Sequence, residues 1–320
     1  MAFQIGTLTL PNNTFYSSLA GCSDYPFRKM AVRHRPGLVF CEMVKIDPLV
    51  RLDFETFRLL DFDKDMHPIG AQICGSDPKL AGEAAKIIED LGFDLVDLNC
   101  GCPVDKITRD GCGSAMLKNP ERIGEMLAEM VAAVRIPVTV KIRVGWDEKT
   151  ICAPEITCIA EEAGAAAIAV HGRTRQQGYR GKANWGVIKD CVEVAKKIKV
   201  IGNGDLFHAE DVLKRMEETG CDAVLVSRGT LGQPWIAEDV RLLAKGLDLP
   251  KRNFRRALLD HLEFMIAYET ERRVIINMRR IGCWYLKGRR SRDFRAAITR
   301  VESLQEIREI IDKFMVEEAS

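Results

Sequence analysis

The stretch KVIGNGDLFHAEDVLKRMEETGCDAVLVSRG, residues 199–229, decides how this chain is read. A short apolar run, 199–202, ends in the polar turn Asn203-Gly204-Asp205. An amphipathic segment runs on from Asp205 and closes at Gly220, where a helix can finish in a left-handed turn. A second apolar run, 223–226, ends in Ser227-Arg228-Gly229. Strand, polar loop, helix, strand, polar loop is the unit from which parallel α/β folds are built.

The same unit recurs on the N-terminal side. Candidate strands are 16–20, 38–43, 68–73, 94–99, 137–142 and 166–170. Most are continuous apolar runs rather than clean alternations, as expected for strands covered on both faces. Helical patterns separate them. Asp77 precedes Pro78 as an N-cap, Asn119-Pro120 opens a helix to about Val134, and another runs from Pro234 to Gly246. Eight strands with intervening helices in about 245 residues predict a (β/α)8 TIM barrel. An open doubly wound sheet is the alternative, but polar residues follow all eight strands. After Leu249-Pro250 no strand-like run follows, and helices are expected over 254–271, 273–287 and 291–316. The expected organisation is a barrel domain, 1–245, and a C-terminal all-helical domain, 250–320.

Composition narrows the class. Of 320 residues, 47% are hydrophobic and 29% charged, which excludes wholesale disorder. The net charge of +1 gives no global basic field, yet it is unevenly spread. Residues 251–300 hold 14 Lys/Arg against 5 Asp/Glu, a net +9, whereas 301–320 carry −4. A basic helical segment on a mildly acidic body points to a polyanionic partner or to a solvated helical face. Eleven cysteines, an odd number, do not suggest a disulfide framework, so a reduced, cytoplasmic protein is expected. Met1-Ala2-Phe3-Gln4 does not begin a leader pattern, and no apolar run approaches the ~18 residues of a membrane span.

In such barrels chemistry sits at the C-terminal ends of the strands. The loops after strands 7 and 8, with Asn203-Gly204-Asp205 and Ser227-Arg228, have the makings of a phosphate cradle. Gln72 after strand 3 can both donate and accept toward a heteroaromatic edge. Lys141 in strand 5 needs an anion, and His171 with Arg173 follows strand 6. Asn99-Cys100-Gly101-Cys102-Pro103 after strand 4 presents a thiol in a tight loop. Cys100, Cys102 and Cys112 lack the spacing of common zinc or iron–sulfur sites, so no metal is expected. Together these residues suit a phosphorylated aromatic cofactor across the barrel mouth, and flavin mononucleotide fits. They also leave open a Schiff-base aldolase using Lys141, or a flavin-dependent reductase of free pyrimidines.

The motifs Ala20-Gly21-Cys22-Ser23-Asp24-Tyr25-Pro26-Phe27-Arg28, Gln72-Ile73-Cys74-Gly75, Asn99-Cys100-Gly101-Cys102-Pro103, Lys141-Ile142-Arg143, His171-Gly172-Arg173-Thr174, Asn203-Gly204-Asp205 and Arg228-Gly229 resemble, in order and spacing, the tRNA-dihydrouridine synthases, and the bacterial B-type branch in particular. The resemblance spans nearly the whole chain. It implies an FMN-dependent reductase that converts uridine to 5,6-dihydrouridine in tRNA, or alternatively in ribosomal RNA, with NADPH as reductant. Carried over by position, Cys102 is the general acid. Ser18, Leu19, Ala20, Gln72, Asn99, Lys141, His171, Asn203, Gly204, Asp205, Ser227 and Arg228 hold the flavin. Arg173 lies near the substrate, and Arg272, Arg273, Arg279, Arg280, Arg289, Arg290 and Arg292 contact RNA. Two departures stand out: Ser17-Ser18-Leu19 replaces the family's Ala-Pro-Met, and Ser227 replaces a glycine before Arg228.

Overall fold

The computed structural model describes residues 2–286 and 291–315, so Arg289 and Arg290 lie outside the described residues. Eight parallel strands close into the expected barrel: β1 (Thr14–Tyr16), β2 (Leu38–Phe40), β3 (Ile69–Cys74), β4 (Leu95–Cys100), β5 (Val138–Arg143), β6 (Ala167–His171), β7 (Lys199–Asn203) and β8 (Ala223–Val226). Each pairs with the next, and β8 returns to β1 with Val224 opposite Thr14 and Val226 opposite Tyr16. Helices α1 (Tyr25–Val32), α2 (Pro78–Asp90), α3 (Pro120–Ala133), α4 (Ala153–Glu162), α5 (Trp185–Val194), α6 (Ala209–Thr219) and α7 (Ile236–Leu243) pack outside; two short helices, Ile46–Val50 and Phe54–Leu59, follow β2. The local signals act as read: Asp77 caps α2 by accepting from Lys79 N, and Gly220 ends α6 at φ 70°.

The strands do alternate, but between two apolar environments. Val96, Leu98, Val140, Ile142 and Val170 point outward to the helices. Leu95, Ala169, Ile201 and Leu225 point inward. Because both faces are buried, hydrophobicity alone shows no period of two.

Several elements differ from expectation; the second strand, for one, ends at Phe40 rather than at residue 43. Strand β1 ends at Tyr16 rather than running through 16–20. Ser17 N still bonds Val226 O at 2.9 Å, but Leu19 N then turns to Ser23 Oγ at 2.9 Å and Leu19 O accepts from Cys22 N and Ser23 N. The loop Ser17–Ala20 is thereby lifted out of the sheet. Helix α6 starts at Ala209, not Asp205, since Asp205 sits at φ 53° and cannot begin a right-handed helix. An unexpected hairpin, Phe3–Ile5 with Leu8–Leu10, plugs the N-terminal end of the barrel. Its Ile5 and Leu10 are fully buried among Phe15, Leu38 and Phe40.

The C-terminal helices are α8 (Phe254–Tyr268), α9 (Glu271–Tyr285), α10 (Ser291–Ile298) and α11 (Leu304–Phe314). The expected segment 291–316 is thus two helices. Val301 between them is buried, its carbonyl accepts from Arg279 Nε and Nη2, and Ser303 caps α11. Their core, including Leu262, Met278 and Ile307, also takes in Met30 of α1 and Trp235. Tyr16 bolts the first strand to the last barrel helix: its hydroxyl donates to Pro234 O at 2.7 Å and accepts from Ala237 N at 3.0 Å.

Candidate active site

A cavity of about 450 Å³ opens at the C-terminal ends of the strands. Its wall contains Cys102 and all twelve residues expected to hold a cofactor, from Ser18 to Arg228. The barrel brings them together because each lies in the C-terminal half of a strand or in the loop after it.

The thiol side is built from β3 and β4. Asp97, fully enclosed, accepts from Gln72 Nε2 at 2.7 Å and Thr139 Oγ1 at 2.6 Å. Burial pushes its carboxyl up to about 6, offset in part by those bonds and by Lys141. Gln72 Oε1 in turn accepts from Asn99 Nδ2 at 2.7 Å, which leaves one amide hydrogen and one lone pair of Gln72 for a ligand. Asn99 Oδ1 accepts from the backbone N–H groups of Gly101 and Cys102, at 3.1 and 2.9 Å. The chain Thr139–Asp97–Gln72–Asn99 therefore fixes the loop that carries Cys102.

The opposite polarity comes from β5, β6 and the last two loops. Lys141 has no carboxylate within salt-bridge distance among the described residues; burial first, then Arg143, push its ammonium down to about 8. Arg143 is 2% exposed and donates to the carbonyls of Gly101, Thr174 and Gly178, which shapes the rim. Burial, then the charges of Lys141 and Arg143, hold His171 well below its ordinary value, so it faces the cavity neutral. Asn203 Nδ2 donates to Leu225 O at 2.5 Å and Ser227 Oγ at 3.1 Å, which ties the seventh and eighth loops together. Gly204 sits at φ 129°, and a Cβ there would lie 2.6 Å from the Cβ of Ala183. Arg228 stacks over Tyr179, 4.3 Å from the ring centroid.

Not every expected residue reaches the cavity. Arg173 is 3% exposed and is absent from the wall. It donates to both oxygens of Asp205 at 2.8 Å and to Gly181 O, so it braces the Asn203-Gly204-Asp205 turn from behind. Arg279 is occupied by Val301 O, while Arg272, Arg273 and Arg292 are exposed and Arg280 bonds Gly21 O at the edge of the barrel mouth. Sequence reasoning missed Tyr179 and Phe207, the aromatic lip beneath Arg228, for want of any local pattern. It also missed Asp97, although an acid inside an apolar strand is a readable sign of a buried polar network.

The residues present suit an anionic, planar ligand. Among the described residues Ser18 Oγ is buried without a partner and Lys141 has no carboxylate within salt-bridge distance, while the turn at Gly204 has no room for a side chain. Among the described residues no cluster could hold a metal, and no helix is long and apolar enough to cross a membrane.

Comparison with known proteins agrees in kind. A family model described as dihydrouridine synthase matches residues 17–319. The chain is 38% identical to tRNA-dihydrouridine synthase B of Xanthomonas axonopodis pv. citri over 306 residues, covering 94% of this chain and 92% of that one. It is 37% identical to tRNA-dihydrouridine synthase B of Pseudomonas aeruginosa, covering 93% and 91%. Among solved structures it resembles histamine dehydrogenase from Rhizobium sp. 4-9, with TM-score 0.58 and 13% identity over 82% of this chain and 50% of that one. Morphinone reductase in complex with tetrahydroNAD gives TM-score 0.55 and 14% identity, over 79% and 93%. At those identities the structural likeness speaks for the barrel alone, and this chain spans half the length of the histamine dehydrogenase.

Proposed function

The chain belongs to the dihydrouridine synthase family, and on that premise we propose that it reduces uridine to 5,6-dihydrouridine in tRNA, with FMN in the cavity and NADPH as reductant. The observation that carries this reading is one cavity that combines a positioned thiol, the Lys141 ammonium with no salt-bridge partner among the described residues, and the remaining hydrogen-bonding capacity of Gln72. FMN, when bound, supplies a hydride to uracil C6. Cys102 delivers the proton that C5 then requires, and its thiolate regains a proton from water. A general acid must keep its proton until the base calls for it. Asn99 sets the direction of that transfer by holding Cys102 N. Lys141 would offer its charge to the bound flavin, Gln72 its remaining amide valences, and the Asn203-Gly204-Asp205 and Ser227-Arg228 turns would grip the phosphate.

The division of labour we infer is a catalytic body, 1–245, and an RNA-binding segment, 250–320. The target base must leave its stack, at a cost of a few kcal/mol. Arg272, Arg273, Arg280 and Arg292, with Arg289 and Arg290, would offset this through phosphate contacts. Arg279 serves the fold of the segment.

The test is substitution of the acid in purified, flavin-loaded protein. Cys102→Ala should keep the visible flavin bands and still bleach with NADPH, yet form dihydrouridine at least about 100-fold more slowly. Normal turnover would remove the acid assignment. A protein that binds no added FMN would end the oxidoreductase reading.

A further inference from the structure

Two thiols that catalysis does not use lie beside the one it does. Cys74 ends β3, and Cys112 lies in the turn after the short helix Asp105–Thr108. They are 1% and 7% exposed and share an apolar nest with Ile107, against which Met43 and Cys102 pack. Within that nest each thiol is the other's strongest electrostatic neighbour. Cys112 Sγ also lies 3.7 Å from Ser76 Oγ and 3.3 Å from Asp110 O. Lys45, the register partner of Cys74, pairs with Asp110 at 2.5 Å and adds its positive charge to both sulfurs. The neighbouring Cys74, the Ser76 hydroxyl and Lys45 draw Cys112 below the ordinary thiol range; Cys112 and burial hold Cys74 well above it. Lys45 and the Ser76 hydroxyl favour ionisation at Cys112, and burial opposes it at Cys74. The flanking Arg109, Asp110 and Gly111 are exposed, so a small oxidant needs only a slight opening of this turn.

The pair is coupled mechanically to Cys102. Ser114, two residues beyond Cys112, donates from both N and Oγ to Cys102 O, at 3.0 and 2.9 Å. Between them Gly113 packs so closely that a Cβ would lie 2.9 Å from Cys102 O. On the other side, Cys74 Sγ lies 3.9 Å from the carbonyl of Asn99, whose side chain holds Cys102 N.

We propose that Cys74 and Cys112 form a reversible disulfide in response to hydrogen peroxide, and that the bond suppresses turnover by displacing Cys102; the second half rests on the function proposed above. The Cys112 thiolate attacks one peroxide oxygen, the O–O bond breaks, hydroxide leaves, and Cys112 becomes a sulfenic acid. The Cys74 sulfur then gives up its proton and attacks Cys112 sulfur; the S–O bond breaks, the S–S bond forms, and water leaves. The two sulfurs lose two electrons to the peroxide, and a dithiol returns them. Displacing a catalytic group by about 1 Å can cost about 100-fold in rate.

The experiment treats flavin-loaded protein with hydrogen peroxide, alkylates the remaining thiols, and maps linked peptides by mass spectrometry. The expected product joins the Cys74 peptide to the Cys112 peptide, is lost with dithiothreitol, and leaves the flavin bands in place. Turnover should fall in step with linkage, return on reduction, and resist peroxide in Cys112→Ala and in Cys74→Ala. A dominant link from Cys102 to either sulfur, or oxidation of Cys102 with Cys74 and Cys112 still alkylatable, would overturn the pairing. Linkage without loss of turnover would overturn the switch. Linkage in a protein that forms no dihydrouridine even when reduced would instead count against the proposed function, so the two failures are separable.

Discussion

The two ends of the barrel interior use the same strands for opposite purposes. Along β4 the inward column runs Leu95, Asp97, Asn99; along β6 it runs Ala167, Ala169, His171; along β7, Ile201 gives way to Asn203. The lower half, sealed by the hairpin with Ile5 and Leu10, is an apolar plug. The upper half is a polar cup whose groups brace one another or face the cavity. A single period-two pattern, read from the floor upward, thus passes from stability to chemistry within about three residues. The lower groups gain from leaving water, whereas the upper ones pay for burial with shifted titration and unfilled hydrogen-bonding capacity.

That contrast can be broken from either end. The largest effect should come from Cys102→Ala, which removes a general acid and so lowers dihydrouridine formation by about 100- to 10,000-fold, with unfolding in urea unchanged. At the floor, Leu225→Ala should reverse the pattern. It opens a cavity where the side chain is 3% exposed and should cost about 2–5 kcal/mol in the urea midpoint analysis, with little change in flavin affinity. A smaller effect follows from Lys141, whose ammonium titrates at about 8 in the flavin-free cavity. An anion beside it favours the charged form, so binding takes up a proton wherever the free lysine is neutral. Flavin affinity should be level below that pH and fall as pH rises through it, by at most about tenfold per unit. Fluorescence titrations in Lys141→Met should be weaker and lose this slope. The smallest effect belongs to the rim: Arg272→Gln should weaken RNA binding modestly and reduce the slope of log affinity against log salt by about 0.7–0.9.

The two ends were also unequally legible. The top could be read from the sequence because loop chemistry is local: Asn203-Gly204-Asp205 and Ser227-Arg228 announce themselves by residue type beside an apolar run. The resemblance then supplied roles that spacing alone left open. The floor could not be read, since Phe3–Ile5 and Leu8–Leu10 are three-residue strands whose meaning lies in the barrel they plug, far along the chain. Arg173 was legible as a cation at a strand end but not in its direction, which depends on Asp205, 32 residues later. The break at Val301 was hidden for the same reason: only the folded Arg279 shows why a helix stops there.

The Tyr16 bolt has a consequence for biosynthesis. Its two partners, at Pro234 and Ala237, leave the ribosome more than 200 residues after it does. At about 5–20 residues per second, β1 waits on the order of 10–40 s with an open edge before the ring can shut. During that interval the nascent chain offers an unpaired strand to any passing neighbour, so a chaperone that shields the emerging N-terminal half should raise the yield of native protein more than one added after release.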